Sequence, residues 1–332
     1  MALISTQNFY FYFMGTQVLP PCDQGSSKDD FYAMLPDDVV NELKENEQQS
    51  LLTLLQNNNN LKEMSWGMWY CESSSASLTS ADELYLWEKD GNKFNDSRFV
   101  DPLIEFGNNN GRVGVSLGGN PSSSAALVNP IAKLYNKPDD FISLIKSIKL
   151  KLDNNLDFID IDIENPQMNE IDESWWRALN STLISIRNDN TLENIEFRLT
   201  IPQSSTYWRG KMGYKSLIAS EMLQTPAINH VNIMDMDTVG HSDPQIWVDW
   251  VIDTIDALSL EPSRVYVTFE SINKAGETTV LFGDIVSQLV KKSVNKFALF
   301  TVVNDGIPKF ELVTSNDYSN ENRDTIRGLV HS

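Results

Sequence analysis

Four acids fall within one short segment, "LDFIDIDIENP" (156–166): Asp157, Asp160, Asp162 and Glu164. Ile159, Ile161 and Ile163 alternate with the last three. Side chains alternate across a strand, so Phe158, Asp160, Asp162 and Glu164 share one face and the isoleucines the other. Carboxylates crowded on one face cannot all ionise, and a raised carboxyl pKa follows for at least one of them. That is the property a general acid needs at neutral pH. Glu164, the last of the row, is the candidate proton donor. Asp162 is close enough to share or exchange a proton with it, and Asp160 lies deeper and holds Asp162 in place. An edge strand with its acids in solvent, or an acidic metal-binding cluster, also fits the alternation. The segment alone leaves these readings open.

The surrounding chain narrows them. Eight apolar segments have strand character: near Phe9, Trp66, Val115, Asp160, Leu199, Ile233, Val267 and Leu299. Helical patterns fall between them, beginning "PDDVVNELKENEQQS", "PDDFISLIKSIKLKL", "DESWWRALNSTLISIR", "DPQIWVDWVIDTIDAL" and "GDIVSQLVKKSV", with a weaker one at "NENRDTIRGLV". Asp139 or Asp140 suits an N-terminal position on the second of these. Strands alternating with helices predict a closed (β/α)8 TIM barrel, in the α/β class, as a single domain over 1–332. An open doubly wound sheet would carry a glycine-rich phosphate turn after its first strand, and "FMGTQVLPPC" has one glycine there. In a barrel the isoleucines must face the helices, because bare carboxylates there would be ruinous. The acids then line the interior and climb toward the C-terminal rim, where barrel active sites lie.

Two further segments fit this picture. In "VSLGG", Ser116 and Gly118 both point inward, leaving room for the acids and offering a hydroxyl to Asp160. In "NIMDMD", Met234 and Met236 point inward as soft filler and Asp237 reaches the rim. Taken singly, each is ordinary core chemistry.

Together the three segments resemble the signatures of family 18 glycoside hydrolases, the chitinases and related endo-N-acetylglucosaminidases. Asp157, Asp160, Asp162 and Glu164 fit D-x-x-D-x-D-x-E. Ser116, Gly118 and Gly119 fit S-x-G-G on the third strand. Met234, Met236 and Asp237 fit M-x-[YM]-D on the sixth. The resemblance implies a retaining hydrolase of β-1,4 bonds beside N-acetylglucosamine, in chitin, chitooligosaccharide or an N-glycan core. The substrate's own acetamido oxygen would be the nucleophile. Glu164 would protonate the leaving oxygen and later activate water. Asp162 would bind the acetamido N–H, Asp160 and Ser116 would tune Asp162, and Asp237 would contact the sugar. The chain departs from the pattern at Phe158, where many members have glycine, and at Ile163, where an aromatic is common. Met236 stands where many have tyrosine. Phe300 or a neighbour occupies the eighth strand, where a tryptophan usually floors the sugar subsite, and "FALFTVVND" holds no tryptophan. A phenyl ring stacks with less area. The alternative is a non-catalytic barrel that binds sugar or protein, as part of a larger assembly.

Other aromatics fit either a sugar cleft or plain packing: Trp66, Trp69 and Tyr70 by the second strand, Tyr207 and Trp208 after the fifth. Trp175, Trp176, Trp247 and Trp250 sit in helical patterns and read as packing residues. Glu270 ends the seventh strand at the rim side, where it could reach the cleft but reads first as a salt-bridged loop acid. Composition sets the remaining bounds. A net charge of −20 over 332 residues argues against nucleic acid and against an anionic membrane surface. The partner expected is a glycan, and the chemistry asks for no cofactor. Three scattered histidines, His230, His241 and His331, lack metal-ligand spacing. Cys22 and Cys71 permit one bridge or two free thiols. No apolar run spans a membrane, and "MALISTQNFYFYFMG" lacks the features of a signal peptide. A cytoplasmic protein, one released by another route, and a mature form with its leader removed all fit that start.

Overall fold

The computed structural model describes residues 8–14, 62–86, 93–94, 97–119, 126–163, 171–202, 212–234, 243–270, 282–304 and 307–308. Among these residues, eight parallel strands form the sheet. They are β1 (Asn8–Met14), β2 (Glu63–Glu72), β3 (Arg112–Gly118), β4 (Phe158–Asp162), β5 (Glu196–Pro202), β6 (His230–Met234), β7 (Val265–Glu270) and β8 (Lys296–Asn304). Each pairs with its sequence neighbours, and β1 pairs with both β8 and β2, which closes the ring. The architecture is the (β/α)8 barrel that the alternating pattern predicts.

Among the described residues, six helices of nine residues or more cover the outside: α1 (Ser97–Asn108), α2 (Pro138–Lys151), α3 (Glu173–Arg187), α4 (Met212–Ser220), α5 (Pro244–Ala257) and α6 (Phe282–Lys291). Local chemistry sets their starts. Asp172 caps α3 by accepting from the Trp175 N–H at 2.8 Å, and Asp243 caps α5, with Pro244 at its first position. Asp139 and Asp140 fall in the first turn of α2, where carboxylates oppose the helix dipole. α1 and α4 are additions to the sequence reading. Pro102 and Gly107 lie inside α1 and Gly213 inside the short α4, residues that disfavour helix. Their buried faces, Leu103 and Phe106 on α1 and Leu217 on α4, outweigh those propensities. Short antiparallel strands at Tyr85–Leu86, Leu127–Val128 and Ile307–Pro308 add to the eight of the barrel. The helical patterns expected over 36–56 and 320–330 lie outside the described residues.

The apolar core sits between barrel and helices. Ile159, Ile161 and Ile163 belong to it, with Val113, Val115 and Leu117 from β3 and Phe197, Leu199 and Ile201 from β5. At about 25 cal/mol per Å² of apolar surface, this shell is the main driving force for closing the ring.

The barrel interior is built differently. Its N-terminal mouth holds a layer of charges instead of the branched aliphatics usual in such barrels. Glu63, Arg112, Glu196, His230 and Lys296 open β2, β3, β5, β6 and β8, and Arg198 lies one inward position above Glu196. Arg198 is fully buried and pairs with Glu63 at 3.0 Å and Glu196 at 3.5 Å. Arg112 reaches Glu196 at 2.9 Å, and Tyr266 donates to Glu63 at 3.0 Å. The Arg198 guanidinium lies 3.6 Å from the centre of the Phe158 ring and 4.9 Å from that of Tyr266. The Phe158 ring in turn covers Gly114, where a Cβ would come within 2.0 Å of it. Phe158, in register with Gly114 and Glu196, therefore stands within this charged layer, between Gly114 and the Arg198 guanidinium. Burial pushes the Glu63 carboxyl up, but Arg198 and Arg112 outweigh it and hold it below its usual value. Removing one partner from such a buried set typically costs about 3–5 kcal/mol.

His230 gives this layer a pH dependence. Burial, helped by Lys296 and Arg198, pushes the imidazole down to about 4 from its usual 6.5. Lys296 Nζ lies 3.3 Å from Nδ1, which therefore accepts when the ring is neutral. Between pH 6.5 and 4 the unfolded chain binds a proton that the folded chain refuses, so stability is fully present above 6.5 and falls as pH falls through that window. Urea unfolding at pH 7 and pH 4.5 should show the native protein losing on the order of 2 kcal/mol more than His230→Gln. Equal losses would contradict the assignment.

Candidate active site

The acidic row on β4 runs up the inside of the barrel. Asp160 is fully buried and Asp162, the last residue of the strand, is 3% exposed. Asp160 pairs in register with Ser116 on one side and Arg198 on the other, and Asp162 with Gly118 and Thr200. Ser116 Oγ donates to Asp160 Oδ2 at 2.9 Å, the contact that the spacing of "VSLGG" suggests. Thr200 Oγ1 donates to Asp160 Oδ1 at 2.6 Å. Both carboxylate oxygens thus accept from hydroxyls on the two flanking strands, which fixes the side chain directly beneath Asp162.

The end of β4 is held by backbone. The carbonyl of Asp162 accepts from the Gly119 N–H at 3.0 Å and from Asn129 Nδ2 at 2.8 Å. Asn129 is itself held, because its Oδ1 accepts from the Ile131 N–H at 3.0 Å. The Ile163 N–H donates to the Thr200 carbonyl at 3.2 Å. These bonds fix the end of β4 and Ile163 against the two neighbouring strands. Gly118 makes the approach possible. Its φ is +114°, and a Cβ there would stand 2.1 Å from the Asp162 carbonyl oxygen and 2.4 Å from Asn129 Nδ2.

Asp157, the first acid of the segment, works elsewhere. Its Oδ2 accepts from the Val113 N–H at 2.8 Å, tying the start of β4 to β3. Phe300 lies on β8, in register with Tyr12 and Glu270. Glu164, Tyr207, Met236 and Asp237 lie outside the described residues, as do the segments that follow β4, β5, β6 and β7. Met234 ends β6 and is 6% exposed.

Of the aromatics left open, Trp66 and Trp69 join the apolar shell outside the barrel, where Trp69 leans on Phe94 at 4.8 Å. Tyr70 is fully buried, with its hydroxyl 4.0 Å from Met68 Sδ. Trp176 is core and Trp175 stacks on Tyr135. Trp247 is buried on α5, its ring 6.0 Å from that of Trp250. Cys71 is a buried thiol pushed up to about 12 by burial, which makes it inert at neutral pH, and Cys22 lies outside the described residues. Sequence reasoning missed Asn129, Thr200 and Asn232. A polar residue at an inward position of a buried strand is the available signal for the last two, and Asn129 has none before the fold is known. No group of three or more metal-ligating side chains occurs among the described residues.

Comparison with known proteins places the fold. No protein-family model matches the sequence, and no curated protein matches it either. Solved structures do. A thermostable chitinase of Pyrococcus furiosus (active domain 2, catalytic-site mutants with chito-oligosaccharides) aligns over 97% of this chain and 94% of its own, with a TM-score of 0.59 and 13% identity. A GH18 chitinase of Pseudoalteromonas aurantia aligns over 88% and 93%, with a TM-score of 0.56 and 13% identity. The spore cortex-lytic enzyme SleL of Bacillus cereus aligns over 98% and 75%, with a TM-score of 0.51 and 10% identity. The chain therefore has the (β/α)8 barrel of these glycosidases. At such identities the likeness is one of fold.

Gly118→Ala should destabilise the protein by at least about 1–3 kcal/mol in denaturant unfolding, because its φ is forbidden to alanine and the Cβ would displace the Asp162 carbonyl. A change below 0.5 kcal/mol, roughly the scatter of neutral surface substitutions, would show that the strand end relaxes freely.

Proposed function

We propose that the protein is a family 18-type glycoside hydrolase that cleaves β-1,4 bonds at N-acetylglucosamine, with chitin or chitooligosaccharide as substrate. The observation that carries the reading is the Asp160 carboxylate, buried in the barrel and held by Ser116 and Thr200 beneath Asp162, at the strand end that leads into Glu164. An acid stacked in a barrel core is costly, and a site for chemistry at the C-terminal rim accounts for keeping it there. The shared barrel of the chitinases and SleL adds the fold-level likeness.

In this reading Glu164 is the acid and base. It protonates the leaving oxygen, the substrate's acetamido oxygen closes on the anomeric carbon, and Glu164 then takes a proton from the incoming water. Retention follows from the two inversions, and the tethered nucleophile supplies proximity that free water lacks. Asp162 accepts from the acetamido N–H and stabilises the positive ring. Asp160 and Ser116 keep Asp162 in place. Asp237, Met236, Tyr207 and Phe300 form the sugar-binding wall. A second reading, a barrel that binds sugar or a partner protein without cleaving it, draws on one observation: β8 carries "KFALFTVVN", with no tryptophan to floor the sugar.

Release of a fluorescent aglycone from short chitooligosaccharides decides between them. The native protein should turn over, and Glu164→Gln should be slower by about 10²–10⁴-fold, the usual contribution of a general acid. Equal rates would end the hydrolase assignment. Saturable sugar binding without turnover would favour the second reading.

A further inference from the structure

Three hydrogen bonds run around the inside of the barrel and end on Asp160. Thr268 Oγ1 on β7 lies 2.6 Å from Asn232 Oδ1 on β6. Asn232 Nδ2 lies 3.1 Å from Thr200 Oγ1 on β5, and Thr200 Oγ1 lies 2.6 Å from Asp160 Oδ1. Thr268, Asn232 and Asp160 are fully buried and Thr200 is 1% exposed. Inward positions of such barrels are ordinarily filled by branched aliphatics, and valine has nearly the shape of threonine. Retaining hydroxyls here adds a desolvation cost that valine would not.

The carboxylate sets the direction of the chain. Ser116 donates to one oxygen of the acid and Thr200 to the other, so Thr200 gives its single proton there. Thr200 can then only accept from Asn232, which must turn its NH₂ toward β5. That leaves the Asn232 carbonyl oxygen facing β7, where Thr268 must donate to it. Reversing any member breaks a bond at its neighbour. The order is thus Thr268 to Asn232 to Thr200 to Asp160, with every proton pointing at the acid.

We propose that Thr200, Asn232 and Thr268 are positioning residues: a one-way hydrogen-bond relay through three strands that holds the Asp160 carboxylate in the orientation Asp162 needs. The proposal rests on the hydrolase reading for its catalytic consequence. Thr268 acts only through the relay. Its hydroxyl fixes the Asn232 amide, the amide fixes the Thr200 proton, and that proton occupies Asp160 Oδ1. Ser116 holds the other oxygen from the opposite side. Loss of the β7 end lets the amide turn over, and the Thr200 proton is then no longer directed at Asp160 Oδ1.

A mutant cycle in the full-length protein tests this. With the fluorescent chitooligosaccharide, Thr200→Val should lower kcat about tenfold and Thr268→Val about threefold, each with KM within about twofold of native, because the relay acts on the reacting geometry and not on sugar binding. Thr268→Ser, which keeps the hydroxyl, should restore most of the rate. The double valine variant should match Thr200→Val alone, since that change already cuts the link. Multiplying effects, or serine and valine alike at 268, would overturn the relay. Thr268→Ala against Thr268→Ser gives the same comparison if the valine variant does not fold. A native protein without turnover would end the hydrolase reading, and the relay is then decided by unfolding free energies. Thr268→Val and Asp160→Asn should be non-additive by more than 0.5 kcal/mol, beyond the scatter of independent sites, and additivity would overturn it.

Discussion

A carboxylate enclosed by a ring of strands is the constraint on which this molecule turns. Asp160 has no exposed surface, so water cannot solvate it. An unpaired charge in that position would oppose folding by several kcal/mol. The chain answers with hydroxyl donors from β3 and β5, one on each oxygen. Those donors exist only when both strands flank β4 in the observed register, so barrel closure and acid placement are one requirement. The same register sets Asp162 against Gly118, where the missing side chain lets Asn129 and the Gly119 N–H grip its carbonyl.

The interior is thereby divided along its axis. At the N-terminal mouth, arginine, glutamate and lysine offset one another around Arg198, which lies against the Phe158 and Tyr266 rings, with the His230 ring beside them. Above them lies the hydroxyl and amide belt that ends on Asp160. Above that, at the strand ends, stands Asp162. Each layer is polar and each is tied across several strands, while the apolar shell outside does the work of holding strands to helices. The ionic layer is costly to assemble, but it ties β2, β3, β5 and β7 together at fixed distances and so gives the acids a rigid base.

Much of this is legible in the sequence. Eight apolar segments at strand length give the barrel, and strict alternation in "FIDIDIE" separates the isoleucine face from the acid face. The two-residue step from Ser116 to Gly118 places a hydroxyl beside Asp160. What escapes is of two kinds. α1 and α4 are written in residues that discourage helix, Pro102, Gly107 and Gly213, and form because burial of Leu103, Phe106 and Leu217 overrides local preference. The ionic layer and the relay escape because their members are ordinary at their own positions and gain meaning only through partners far along the chain. Tyr266 and Glu63, joined by a hydrogen bond, are 203 residues apart. Likewise Trp66 and Trp69 are equally suited to a cleft or a core by type, and, three residues apart, they share the core only because the register of β2 against β3 shifts between them.

The most direct test of the central claim, that the buried acid row serves a sugar at the rim, is a crystal structure of Glu164→Gln soaked with a chitooligosaccharide. The account predicts a sugar whose acetamido N–H faces Asp162, with the scissile oxygen within about 2.6–3.2 Å of the residue 164 side chain and Asp160 still bound by Ser116 and Thr200. A sugar bound away from the strand ends, or Asp160 and Asp162 turned out of the barrel, would contradict it.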